Sequence, residues 1–245
     1  MRVTIANISK TIQQPEFQAA LQAISKQCNE DFQPEWNISC VIRGTTANIA
    51  GKVPIQGVHD AIIYVGDESQ DPTTGVKNAL GYHSDNHKGI PYGFVYLDVV
   101  KKYHEVWTST LSHEVLELLA DPTAVMTVTG PDPRNAKHVV HFDLEVCDPT
   151  QGDSYQIDGI AVSNFVTPGY FGLTGGSPTT NFQKLDLKPF GVRPGGYFQF
   201  EDGNHVFHVN GERVKAEIAE REEARKRMAL GRRNTRRAHR LEVEV

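Results

Sequence analysis

The sequence predicts an α+β domain in which a mixed sheet packs on two helices and the chain turns to hairpins and loops towards its C-terminal part. Three observations predict it. β-Branched or apolar runs recur in the first hundred residues, at 1–9, 38–43, 59–66 and 94–100. Helix-like segments fall between and after them, at 15–29 and 105–120. Beyond residue 120 the helical period gives way to alternation and Asp-Gly turn signals.

Taken in order, residues 1–9 alternate and are β-branched, as a strand does. Pro15 suits the first turn of a helix, and Phe17, Leu21 and Ile24 line one face of it. Residues 31–36 read as a break and 38–43 as a second strand. The continuous apolar run within 59–66 predicts a buried strand. Residues 81–93, rich in Gly, Pro and His, read as a loop, and 94–100 as another strand. The helix over 105–120 stops at Pro122 because proline cannot donate to the helical ladder. Residues 138–146 alternate, 155–165 are expected to pair with them, and Asp158-Gly159 marks a turn. Residues 167–196 read as loop, and 196–209 as two short strands about Asp202-Gly203. The end of the chain, 212–240, reads as a charged helix with almost no apolar face.

This divides the chain into a domain over 1–210 and a tail over 211–245. The domain carries 14 Lys and Arg against 23 Asp and Glu, whereas the tail carries 11 against 7. The basic tail therefore calls for a partner of its own. No run approaches the roughly 18 apolar residues of a membrane span, and no signal-peptide pattern opens the chain. Cys28, Cys40 and Cys147 form no Cys-x-x-Cys pair, which points away from a disulfide framework and towards a reducing, cytoplasmic setting.

The chemistry concentrates on the 105–120 helix. At about 100° per residue, Val115, Leu118 and Leu119 share a stripe with Leu111, while His113, Glu114, Glu117 and Asp121 share one opposite arc. From residue 103 to 133 there is no Lys or Arg. Like charges four apart on a helix repel, and a divalent cation relieves that repulsion. His113-Glu114-Val115-Leu116-Glu117 is similar to the His-Glu-x-x-His helix of zinc peptidases, with Glu in place of the second His. The same pentapeptide also arises as an ordinary solvated face of an acidic helix.

Together with 27–32, 81–83, 89–91, 145–149 and 155–165, residues 112–122 resemble a set of bacterial and phage-borne proteins with a zincin-type metallopeptidase layout. The resemblance covers about residues 1–210. It implies a zincin-like mixed sheet on the N-terminal and motif helices, with Zn or another divalent cation such as Mn²⁺ or Ca²⁺ as cofactor. His113 and Glu117 would be ligands and Glu114 the general base acting on the attacking water.

For a third ligand the alternation of 138–146 favours Glu145, on a face with His141, Asp143 and Cys147. Asp121 is the other candidate. His83, near Asp85 and His87, is an auxiliary candidate for metal or substrate, and Tyr155 and Tyr170 are possible hydrogen-bond donors to an oxyanion. Nucleophile chemistry is disfavoured: Cys147 sits beside acids that raise a thiol pKa, and Ser163 lacks a Gly-x-Ser-x-Gly setting.

Arg225, Arg227, Arg232, Arg233, Arg236 and Arg237 make the tail a docking arm for an acidic partner or a second copy of the chain. A phosphate grip on nucleic acid is the less favoured alternative, since no aromatic residue interleaves. Two functions remain open: a metal-dependent hydrolase acting on peptides or proteins, and a structural or assembly protein, virion-associated if phage-borne, on the same scaffold.

Overall fold

The computed structural model describes residues 1–46, 60–69, 80–85, 89–173, 178–203 and 205–211. Within them the protein is a mixed α+β structure with three sheets and one principal helix. The predicted 212–240 helix, the six tail arginines and His87 lie outside the described residues.

The first sheet has the order β2-β1-β3-β5-β4, formed by β1 (Arg2–Asn7), β2 (Val41–Thr46), β3 (Asp60–Gly66), β4 (Gly81–Asp85) and β5 (Pro91–Tyr96). The first four strands of that order run parallel, and β4 joins antiparallel to β5. One face, carrying Val3, Ile5, Ala61, Ile63 and Val95, packs on α1 (Gln14–Lys26) and on α4 (Trp107–Ala120). The other face carries a run of aromatic rings, with Tyr64 on Phe94 at 5.0 Å and Phe94 on Tyr82 at 5.6 Å between centroids.

A second, antiparallel sheet has the order β11-β10-β7-β6, from β6 (Thr127–Asp132), β7 (Asn135–Asp143), β10 (Tyr197–Asp202) and β11 (His205–Asn210). Phe142, Phe198 and Phe200 form its own small core. Its edge is latched by Arg134, which pairs with Asp132 and Asp202 and lies 4.0 Å over the Phe207 ring. The hairpin of β8 (Ser154–Ile157) and β9 (Ile160–Ser163) packs on α4 and α1. Among the described residues no helix is long and apolar enough to cross a membrane.

Four expectations are corrected. The region 81–93 is not a loop: it holds β4 and the start of β5, because aromatic Tyr82, Tyr92 and Phe94 stabilise strands despite the glycines. Strand β5 ends at Tyr96, and α3 (Leu97–Lys102) replaces the rest of the expected 94–100 strand, with Asp98 accepting the Val99 N–H at its first turn. The expected break at 31–36 is helical: α1 continues through a π-helical stretch, Gln27–Phe32, into α2 (Gln33–Trp36), which ends at left-handed Asn37. Buried Gln27 donates to the Ser163 carbonyl at 2.8 Å from that stretch, tying it to the hairpin. Finally, 155–165 does not pair with 138–146. It folds back on itself about Asp158-Gly159, both at positive φ, while β7 takes β6 and β10 as neighbours.

Candidate metal centre

Helix α4 carries the centre, and it is buried on both of its predicted faces. Leu111, Val115, Leu118 and Leu119 enter the main core, while His113, Glu114 and Glu117 face protein rather than water. The four-residue spacing brings His113 Nε2 to 3.1 Å from Glu117 Oε2. Pro122 ends the helix by holding Asp121 extended (φ −135°, ψ 84°).

Strand β4 supplies a second imidazole. Residues two apart on a strand share a face, so Gly81 and His83 both point at α4. The approach is close: a Cβ at Gly81 would lie 2.7 Å from Glu114 Oε1 and 2.9 Å from the Phe94 carbonyl oxygen. His83 Nε2 is 3.1 Å from the Asp121 carbonyl oxygen. A carbonyl only accepts, so Nε2 carries a proton. The other ring nitrogen, Nδ1, faces Glu114 Oε2 at 3.6 Å and Glu117 Oε2 at 3.9 Å. Neither His83 Nδ1 nor Glu114 Oε2 has a hydrogen-bond partner, and both are buried.

The stretch after β7 closes the centre from the other side. Glu117 Oε1 accepts the backbone N–H groups of Cys147 and Asp148, each at 3.2 Å. Asp148 Oδ1 lies 3.2 Å from His113 Nε2, and Glu145 Oε2 lies 4.0 Å from His83 Nε2. Two groups of side chains have the spacing to hold a metal ion: His113 with Glu117 and Cys147, and His83 with Glu114 and Glu117, the ligand atoms of each lying within 4.8 Å of one another.

Burial and charge shift the titrations. Burial alone would lower the His113 pKa, but the Glu117 and Asp148 carboxylates outweigh it and hold it well above the ordinary histidine value. Burial raises Glu114, against the opposing pull of His83 and His113. Burial, followed by the Glu117 charge, raises the Cys147 thiol well above its usual range. A buried cluster of two imidazoles and four carboxylates, with His83 Nδ1 lacking a hydrogen-bond partner, fits a divalent cation.

The expected residues are distributed unevenly. The structure brings His113, Glu114, Glu117, Glu145 and His83 together. Asp121 is near, but both its carboxylate oxygens are spent on the turn that follows, accepting Thr123 N–H at 3.3 Å and Met126 N–H at 2.6 Å. It contributes its carbonyl to His83 instead. Glu145 reaches the cluster without the expected strand alternation, because β7 ends at Asp143 and residues 143–148 are all buried. Tyr155 donates to Asp31 and Tyr170 to the Gly191 carbonyl, each at 2.7 Å, so both are held in packing roles.

Sequence reasoning did not single out Asp148 or Cys147 as donors. The available signal was Pro149, which starts a 3₁₀ turn, Asp148–Thr150, and so ends any strand before Cys147. Comparison with family models, curated proteins and solved structures finds no match to the chain.

Proposed function

We propose that the protein is a metal-dependent hydrolase, with peptides or proteins as substrates. The observation that supports it is the meeting of His113, Glu117, Asp148, Glu114 and His83 in one buried cluster, with His83 Nδ1 and Glu114 Oε2 facing each other without a hydrogen-bond partner. His113 and Glu117 hold the cation, with Cys147 and Asp148 beside them. The bound ion, zinc or another divalent cation, supplies Lewis acidity. The chain's own part is to fix Glu117 through two backbone N–H groups, to keep the cluster out of bulk solvent, and to place acidic side chains where a proton from the attacking water can be taken up.

Metal analysis of the purified protein tests this reading. The wild type is expected to carry a divalent cation, and His113→Ala and Glu117→Gln to lose most of it. Cleavage of a mixed peptide library, followed by mass spectrometry, is expected in the wild type and abolished by chelation. Metal content unchanged in His113→Ala defeats the proposal.

A second reading is favoured by the depth of the cluster, whose six side chains are each less than one-tenth exposed. In it the cation is structural, holding β4, α4 and the 144–148 stretch together in an assembly protein that docks through its basic tail. Cation binding without chelator-sensitive cleavage selects this reading.

A further inference from the structure

The geometry points to a second divalent cation, held by His83 Nδ1, Glu114 Oε2 and Glu117 Oε2 beside the first, so that Glu117 bridges two ions. This rests on the reading of the His113–Glu117 group as a cation site and extends it from one ion to two.

Three observations carry it. The first is His83. Its Nε2 proton goes to the Asp121 carbonyl, and its buried Nδ1 is aimed at two carboxylate oxygens, 3.6 and 3.9 Å away. His83 Nδ1 and Glu114 Oε2 are both buried without a hydrogen-bond partner, and a cation between them would offset that cost. A metal-bound histidine that donates its other N–H to a backbone carbonyl is the usual arrangement for fixing the ring.

The second is spacing. Two ligands about 2.0–2.2 Å from one ion lie roughly 3–3.6 Å apart at octahedral to tetrahedral angles. The His83–Glu114 separation of 3.6 Å is at the upper end of that range and is too long for a hydrogen bond. The His83–Glu117 separation of 3.9 Å is slightly beyond it.

The third is the donor set. A single zinc site takes about three protein ligands, whereas two such triads meet here, His113 with Glu117 and Cys147 and His83 with Glu114 and Glu117, distinct except for Glu117. Its Oε1 is held by two backbone N–H groups, and its Oε2 faces both histidines, at 3.1 Å from His113 and 3.9 Å from His83. In this assignment Glu114, which the motif casts as the general base, is a ligand of the second ion.

Stoichiometry tests it. Full-length protein is stripped with chelator and titrated with Zn²⁺ or Mn²⁺, with bound metal counted by elemental analysis and folding checked by circular dichroism. The expectation is two ions per chain in the wild type and one in His83→Ala and in Glu114→Gln. Mn²⁺-loaded wild type, which needs no variant, is expected to give the exchange-coupled electron paramagnetic resonance signal of neighbouring ions. Saturation of the wild type at one ion overturns the second site and leaves the first standing. Two ions retained in Glu114→Gln and His83→Ala overturn the ligand assignment. No bound ion at any concentration defeats both readings, with a proton on His83 Nδ1 then serving as the counter-charge.

Discussion

His113 has the clearest pH signature. Its folded-state pKa is raised well above the unfolded value of 6.5, so its contribution to stability is full below about pH 6.5 and is lost as pH rises through the higher folded value. Glu114 acts in the same sense, because a carboxyl raised by burial destabilises the fold when it ionises. The melting temperature of chelator-treated protein is therefore expected to fall as pH rises above about 6.5, and the ion-loaded protein to lack that fall because the cation takes the proton's place. A melting temperature that climbs over this range in the chelated protein contradicts the assignment. Gly81 is the other sensitive position. An alanine methyl would press on Glu114 and on the Phe94 carbonyl. Gly81→Ala is expected to lower stability by about 1–3 kcal/mol and to weaken cation binding, read by thermal melting and titration calorimetry. His113, Glu114 and Glu117 were legible in the sequence because helical spacing alone puts them on one arc. His83 was legible only as an auxiliary, since Gly81 and Gly93 disguise the strand that aims it.

At the scale of elements, α4 is held to the β8–β9 hairpin by two hydroxyls one turn apart. Thr108 Oγ1 donates to the Ala161 carbonyl at 2.7 Å, and Ser112 Oγ accepts the Ser163 N–H at 2.8 Å. Ser112→Ala leaves that buried N–H without its acceptor, and a loss of about 1–3 kcal/mol is expected in urea unfolding. A loss below a few tenths would mean that water or a backbone shift replaces the bond. These hydroxyls also show why the sequence under-reported the helix. A wheel separates apolar from polar residues, but it does not distinguish a polar face in water from one matched by another element. Strands β1 and β3, the stop at Pro122 and the Asp158-Gly159 and Asp202-Gly203 turns follow from local rules, and the structure keeps them. The pairing of β7 with β6 and β10 depends on contacts far apart in sequence, and the alternation of 138–146 carries no information about its partners.

For the whole molecule, the cluster unites three distant stretches: β4, α4 and the residues after β7. All of the donor side chains named above lie between positions 83 and 148, so removing residues 212–245 is expected to leave the number of bound ions unchanged while reducing association, checked by elemental analysis and light scattering. Unaltered association counts against the tail as a docking arm. The domain division at about residue 210 rests on a charge reversal that the sequence shows directly, whereas the meeting of the 143–148 stretch with β4 depends on the assembled fold. One detail reaches further. With Oε1 of Glu117 clamped by the Cys147 and Asp148 amides, the carboxylate cannot swing to suit its guest, and the opening it borders has a set width. A carboxylate held in this way would make the affinity of the site depend on the radius of the cation offered, which a series of divalent ions compared by titration calorimetry measures.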